Sequence, residues 1–161
     1  MIFVTVGTQL GFDRLVNAVD AWAAANPQHQ VYAQIGPSQA PKAIPYSAFL
    51  APAEADEKMQ QANLIVAHAG MGSILTALRL GKPILVLPRR HAQGEHRNDH
   101  QMATAKWLSN RPGITVAWDE RELMAKLDDP AVFAPAPTLA AQASGPLIDR
   151  LAAYLNPAHR S

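Results

Sequence analysis

The chain alternates between short unbroken apolar runs and longer stretches in which apolar residues recur every three to four positions. Ile2 to Val6 is apolar and largely β-branched, which predicts a strand buried on both faces of a parallel sheet. Gly7 to Phe12 then reads as a loop, and Asp13 caps a helix with Leu15, Val16, Val19 and Trp22 on one face, ending near Asn26-Pro27. Gln30 to Ile35 predicts a second strand, the proline-rich stretch from Gly36 to Pro45 a loop, and Tyr46 to Leu50 a short third strand. Pro52 with Glu54, Asp56 and Glu57 suits the first turns of a helix reaching Ala62, because the helix dipole favours acids there. Leu64 to Ala67 is another buried strand, Ser73 to Leu80 a helix stopped by Gly81, and Ile84 to Leu87 the next strand. Asn98 or Asp99 caps a helix carrying Met102, Ala103 and Trp107; Ile114 to Trp118 is a last strand and Asp119 to Leu127 a short helix. Pro130, Pro135 and Pro137 break the chain before an amphipathic segment, 138–156, which Gly145-Pro146 interrupts. Strands alternating with helices predict a single α/β domain over 1–161 with a doubly wound parallel sheet, its ligand outside the carboxyl ends of the strands.

Composition narrows the classes of function. A length of 161 residues suits one compact domain. Fourteen Lys and Arg against thirteen Asp and Glu leave a net charge of +1, so no basic surplus drives binding to nucleic acid, and an anion site has to be local. The lack of Cys removes disulfides, thiol catalysis and zinc-thiolate sites. Met1 to Val6 has no basic region before it and its apolar run stops at Gly7, so it reads neither as signal peptide nor as membrane span, and the expected location is the cytoplasm.

Three segments carry candidate chemistry. Gly7-Thr8-Gln9-Leu10-Gly11-Phe12 joins a strand to a helix, where glycines let the backbone approach a phosphate; a tight turn with no ligand is the competing reading. His68-Ala69-Gly70-Met71-Gly72-Ser73 ends a strongly apolar strand and opens a helix. There Gly70 and Gly72 bare the backbone N–H groups, Ser73 adds a hydroxyl at the cap, and the dipole supplies positive potential for a diphosphate that His68 can also reach. The third segment, Arg89 to Gln101, packs three Arg, three His and two carboxylates into one loop and helix start. Asn, Asp, His and Gln hydrogen-bond sugar hydroxyls, and Arg forms forked pairs with phosphate or carboxylate. A solvated connector is one alternative, and a metal site of His91, His96 and His100 with Glu95 or Asp99, as in a metal-dependent hydrolase, is another.

The segment from Leu64 to Gln101 resembles a known family. His68-Ala69-Gly70-Met71-Gly72-Ser73, Leu80-Gly81-Lys82-Pro83, Pro88-Arg89 and His100-Gln101, with Val6-Gly7-Thr8 and Phe12-Asp13-Arg14-Leu15 upstream, look like the donor-binding carboxyl-terminal half of glycosyltransferase family 28. The likeness is to the short stand-alone subunits of two-component UDP-sugar transferases, including exopolysaccharide subunits of the PssE type. It implies a Rossmann-like domain equivalent to the carboxyl-terminal half of a GT-B enzyme. It further implies a UDP-sugar as donor substrate with no cofactor and no metal, the UDP and its diphosphate held by Gly7, Thr8, His68, Gly70, Gly72, Ser73 and Thr76. The donor sugar then falls to Arg89, Arg90, Arg97, Asn98, Asp99, His100 and Gln101. Many members place a ribose-binding Glu where this chain has Thr76, whose hydroxyl supplies a single bond. The implied partner is a membrane-anchored, acceptor-binding subunit that presents a lipid-linked saccharide, contributes the general base and holds this chain at the inner face of the plasma membrane. The three arginines near the expected sugar favour glucuronate, whose carboxylate accepts a forked Arg pair. A non-catalytic module that binds a sugar nucleotide and stabilises a membrane-bound transferase is the alternative function.

Overall fold

A computed structural model describes residues 1–96, 98–109 and 111–135. The expected segment 138–156 lies outside the described residues, as does Arg97. The chain runs β1 (Ile2–Thr5), α1 (Asp13–Ala25), β2 (Val31–Gln34), β3 (Tyr46–Ser47), α2 (Pro52–Gln61), β4 (Leu64–His68), α3 (Met71–Leu80), β5 (Ile84–Leu87), α4 (His100–Leu108), β6 (Ile114–Val116) and α5 (Glu120–Asp128), with single 3-10 turns at His91–Gln93 and Pro130–Phe133. Among the described residues no helix is long and apolar enough to cross a membrane.

The six strands form one parallel sheet in the order β3-β2-β1-β4-β5-β6. Successive side chains of a strand point to opposite faces, so an unbroken apolar run has to be covered on both sides. Ile2, Val4, Leu64, Val66, Leu85 and Leu87 pack on one face with Leu15, Val16, Val19 and Trp22 of α1 and Leu123 and Leu127 of α5. Phe3, Ile65, Ala67, Ile84 and Val86 pack on the other with Met59 of α2, Ile74 and Leu78 of α3, and Ala105 and Leu108 of α4. Each such side chain taken fully out of water contributes about 1.5–3 kcal/mol, which is why the apolar runs specify the layer order.

The element boundaries differ from the expected ones where a neighbouring backbone supplies the missing partner. β3 is two residues rather than five, because it borders only β2 and the chain turns away after Ala48, whose carbonyl accepts from the Gly36 N–H at 2.7 Å. α1 starts at Asp13 itself; its carboxylate accepts from the Gln39 N–H at 2.8 Å instead of capping, while Ser38 Oγ takes the Phe12 N–H at 2.7 Å. α3 begins at Met71, two residues before Ser73, with Gly70 as N-cap. Its other end is as expected: Gly81 is left-handed at φ 68° and closes the helix. Asp99 holds the N-cap position of α4 without capping it, because its carboxylate accepts from the His91 N–H at 3.0 Å.

Candidate nucleotide-binding site

Strand order reverses between β1 and β4, and their carboxyl ends diverge there into the loop from Gly7 and the turn from Ala69 to Gly70. A cleft of about 560 Å³ opens at this point, within the range of small-ligand sites. Of the residues expected at UDP and its diphosphate, Gly7, Thr8, His68, Gly70, Gly72, Ser73 and Thr76 all line it. So do Arg89 and Gln101 of the expected sugar set. Arg90, Asn98, Asp99 and His100 do not line it. Arg90 donates through Nη2 to the Trp118 carbonyl beyond β6, tying the two segments together, and Asn98 Oδ1 accepts from the His100 N–H at 3.0 Å within its own loop. Among the described residues no three His, Asp or Glu side chains converge as a metal cluster, so the histidines of this segment do not assemble the alternative metal site.

The first loop is held open by two buried polar side chains. Arg89, 2% exposed, sends Nη2 to the carbonyls of Val6 (2.6 Å) and Leu10 (2.8 Å) and Nη1 to that of Gly11 (2.6 Å). It also lies over the Phe12 ring at 4.8 Å. Burial draws its pKa down to about 10, opposed by Glu95, so the guanidinium stays charged at neutral pH. Arg89 thus lines the cleft while its charge-assisted hydrogen bonds to carbonyls buckle the first loop. Gln34 closes the other side: it accepts from Thr5 Oγ1 at 2.7 Å and donates to the carbonyls of Gly7 (3.0 Å) and Ala48 (2.9 Å). Sequence reasoning passed over Gln34, whose signal is a polar residue ending an otherwise apolar strand.

The segment that carries His96 is clamped by Arg14. Its guanidinium pairs in a fork with Glu95 (2.9 and 2.9 Å), reaches Glu120 at 2.8 Å and donates to the Pro88 carbonyl at 3.0 Å. Desolvation works against the charge, but the two carboxylates win and raise the Arg14 pKa. This joins α1, the loop after β5 and α5 into one rim.

His68 sits at the centre of the cleft floor. A methyl group added at Gly7 would come within 2.7 Å of its Nε2, and one added at Gly70 within 2.5 Å, so both glycines are bare because the imidazole fills their side-chain space. Gly7 additionally has φ +81°, the left-handed region that glycine enters without strain. Desolvation, followed by the charge of Arg89 and then His96, pushes the His68 pKa down to about 3, so the ring is neutral. Beside it α3 presents an open N-terminus. No side chain caps it, and the first intrahelical bond runs from the Ile74 N–H to the Gly70 carbonyl at 3.2 Å, leaving the N–H groups of Met71, Gly72 and Ser73 without intrahelical partners. A methyl at Gly72 would meet nothing within 4 Å, so that glycine keeps the helix end open to solvent rather than to a neighbour. Ser73 stands in the first turn rather than at the cap, and Thr76 spends its hydroxyl proton on the Gly72 carbonyl at 2.9 Å. The cleft also has apolar lining: Leu10 of the first candidate segment, with Phe49, 61% exposed, Leu50 and Met59, which lie outside all three candidate segments.

An open helix N-terminus at the switch point of a doubly wound sheet, with apolar side chains lining the same cleft, marks a Rossmann-like domain with the fold of the carboxyl-terminal half of GT-B glycosyltransferases. Residues 1–131 match the glycosyltransferase family 28 C-terminal domain, and the chain belongs to that family. Over 105 residues it is 30% identical to the UDP-N-acetylglucosamine–N-acetylmuramyl-(pentapeptide) pyrophosphoryl-undecaprenol N-acetylglucosamine transferase of Rhodospirillum centenum, covering 62% of this chain and 28% of that protein. Over 52 residues it is 42% identical to the UDP-N-acetylglucosamine transferase subunit ALG13 of Mus musculus, covering 32% of this chain and 4% of that protein. The matches thus span less than a third of either relative. Among solved structures, the solution structure of ALG13 superposes with a TM-score of 0.63 at 21% identity, covering 93% of each chain, which is a likeness of fold.

Proposed function

We propose that this chain is the donor-binding subunit of a two-component inverting glycosyltransferase that takes its sugar from a UDP-sugar and passes it to a lipid-linked acceptor held by a membrane-anchored partner. One observation carries the reading: the open N-terminus of α3 and the His68 ring meet across Gly70 on the floor of the 560 Å³ cleft. In this arrangement the diphosphate accepts from the N–H groups of Met71, Gly72 and Ser73, and the base lies against Phe49 and Leu50. As the acceptor hydroxyl attacks the anomeric carbon, negative charge grows on the departing diphosphate, where preorganised N–H donors and the helix dipole stabilise it most. The partner supplies the acceptor site and the general base, and through it this chain works at the inner face of the plasma membrane.

The donor sugar is the finer question. A hexuronate donor draws on Arg89, Arg90 and Arg97, of which the first two have their guanidinium groups on backbone carbonyls and the third lies outside the described residues. The names of both relatives specify UDP-N-acetylglucosamine as their donor. Thermal-shift titration with UDP, UDP-glucuronate, UDP-N-acetylglucosamine and GDP, with EDTA present, tests the reading. A ligand at about 100 times its dissociation constant adds about 2.7 kcal/mol of stability. Stabilisation by uridine but not guanosine nucleotides is expected, and the better UDP-sugar identifies the donor. No shift from any nucleotide, alone or with the co-expressed partner, would remove the proposal. Transfer that persists in the pair after the cleft is blocked at Gly72 would instead make this chain a non-catalytic module.

A further inference from the structure

We propose that Gln101 is a positioning residue: it holds the His68 imidazole as the Nε2–H tautomer, so that a neutral N–H donor stands between Gly7 and Gly70 in the cleft. The orientation of the Gln101 amide is fixed by two backbone donors from different strand ends. Its Oε1 accepts from the Ala69 N–H at 3.2 Å and from the Arg89 N–H at 3.1 Å. An NH2 group cannot accept those bonds, so the nitrogen is the atom that lies 3.1 Å from His68 Nδ1. Arg89 Nε points at the same Nδ1 from 3.4 Å. With donors on both approaches, Nδ1 is the acceptor and the single proton of the neutral ring sits on Nε2. Gln101 is 8% exposed and Arg89 2%, so neither is free to rearrange when a ligand arrives.

Burial and the two nearest basic side chains disfavour a charged ring. Arg89 and His96 act on His68 against a positive charge, and the carboxylate of Glu95 is already paired with Arg14. Asp56 of α2 is the one acidic side chain among the cleft-lining residues. The ring therefore contributes a hydrogen bond without a proton that comes and goes at physiological pH, and the positive potential of the cleft comes from the end of α3 and the Arg89 guanidinium. This rests on the donor-binding reading for its use, but the tautomer is a property of the empty chain and is measured without any nucleotide.

The test is long-range proton–nitrogen NMR on the full chain labelled with 15N-histidine, the His68 signals being assigned by their loss in His68→Asn. The expected pattern is Nε2–H with no titration between about pH 5 and 8. Gln101→Glu keeps an oxygen for the Ala69 and Arg89 N–H groups but places an acceptor opposite Nδ1, so His68 is expected to switch to Nδ1–H. Affinity for UDP, measured by calorimetry, then falls by about tenfold or more as a lone pair replaces the donor facing the anion. Nδ1–H or a titrating ring in the wild type, or an unchanged tautomer in folded Gln101→Glu, overturns the proposal. If Gln101→Glu does not fold, the wild-type tautomer and its pH titration decide alone. Failure of the wild type to take up UDP would count against the donor-binding reading and leave the tautomer result intact.

Discussion

The Nη1 of Arg89 donates to the carbonyl of Gly11 at 2.6 Å, joining the end of β5 to a loop 78 residues earlier in the chain. With the bonds to Val6 and Leu10, it shapes the opening of the cleft from beneath. Replacing Arg89 with Met would leave four carbonyls, those of Val6, Leu10, Gly11 and Glu95, without their charged donor in a site that is 2% exposed. A loss of about 3 kcal/mol or more is expected in urea unfolding, with Lys recovering part of it by reaching one carbonyl. A change below about 1 kcal/mol would show that the loop holds its shape unaided.

The neutrality of His68 makes stability depend on acid. The ring takes up its proton near pH 3 in the fold and near 6.5 in the unfolded chain, so between these values the unfolded state binds more protons. This contribution is complete above 6.5 and is lost as pH falls towards 3, with a slope of at most about 1.4 kcal/mol per pH unit. Urea midpoints from pH 7 to 4 check it: the slope of the wild type should exceed that of His68→Asn, and parallel profiles would contradict the burial of a neutral ring.

Gly72→Ala separates folding from binding. The added methyl meets nothing within 4 Å in the chain itself, and alanine favours a helix over glycine by up to about 1 kcal/mol. The variant is expected to melt at an equal or higher temperature, yet to bind UDP about tenfold or more weakly because the methyl stands where a phosphate approaches. Undiminished binding would move the ligand away from the end of α3.

Gly70→Ala should behave in the opposite manner. Its methyl would lie 2.3 Å from the His68 ring, and with the β4 backbone fixed in the sheet the imidazole has to leave its place. Overpacking of this kind costs about 1–3 kcal/mol. Combined with His68→Ala, which empties the ring's space, the two changes should be less than additive by about 0.5 kcal/mol or more in a double-mutant cycle. Strict additivity would mean that the two residues do not share that space.

The apolar runs and the α-helical periodicity carried the layer order because each run has to be covered on both faces, and that constraint is local enough to read. The glycine turn from Ala69 to Ser73 was legible for a similar reason: a strand end, bare glycines and a helix start lie within six residues. Contacts between distant residues were not. Arg89 and Gln101 read as ligand groups because Arg and Gln are commonly used so, but their partners in the chain are backbone atoms of Val6, Leu10, Gly11 and Ala69 and the His68 ring. Phe49 and Leu50 gave no signal as cleft residues because only the parallel pairing of β2 and β3 brings their loop beside α3.

The sequence by itself determined the fold class and the position of the glycine turn that opens α3, since periodicity and backbone chemistry act within a few residues. Which polar side chains line the cleft, and which of them bind the protein's own backbone, only the tertiary structure decided. Folding buries those carbonyls and amides away from water, each must then find a partner, and the nearest partner comes from whichever strand end the sheet places beside it.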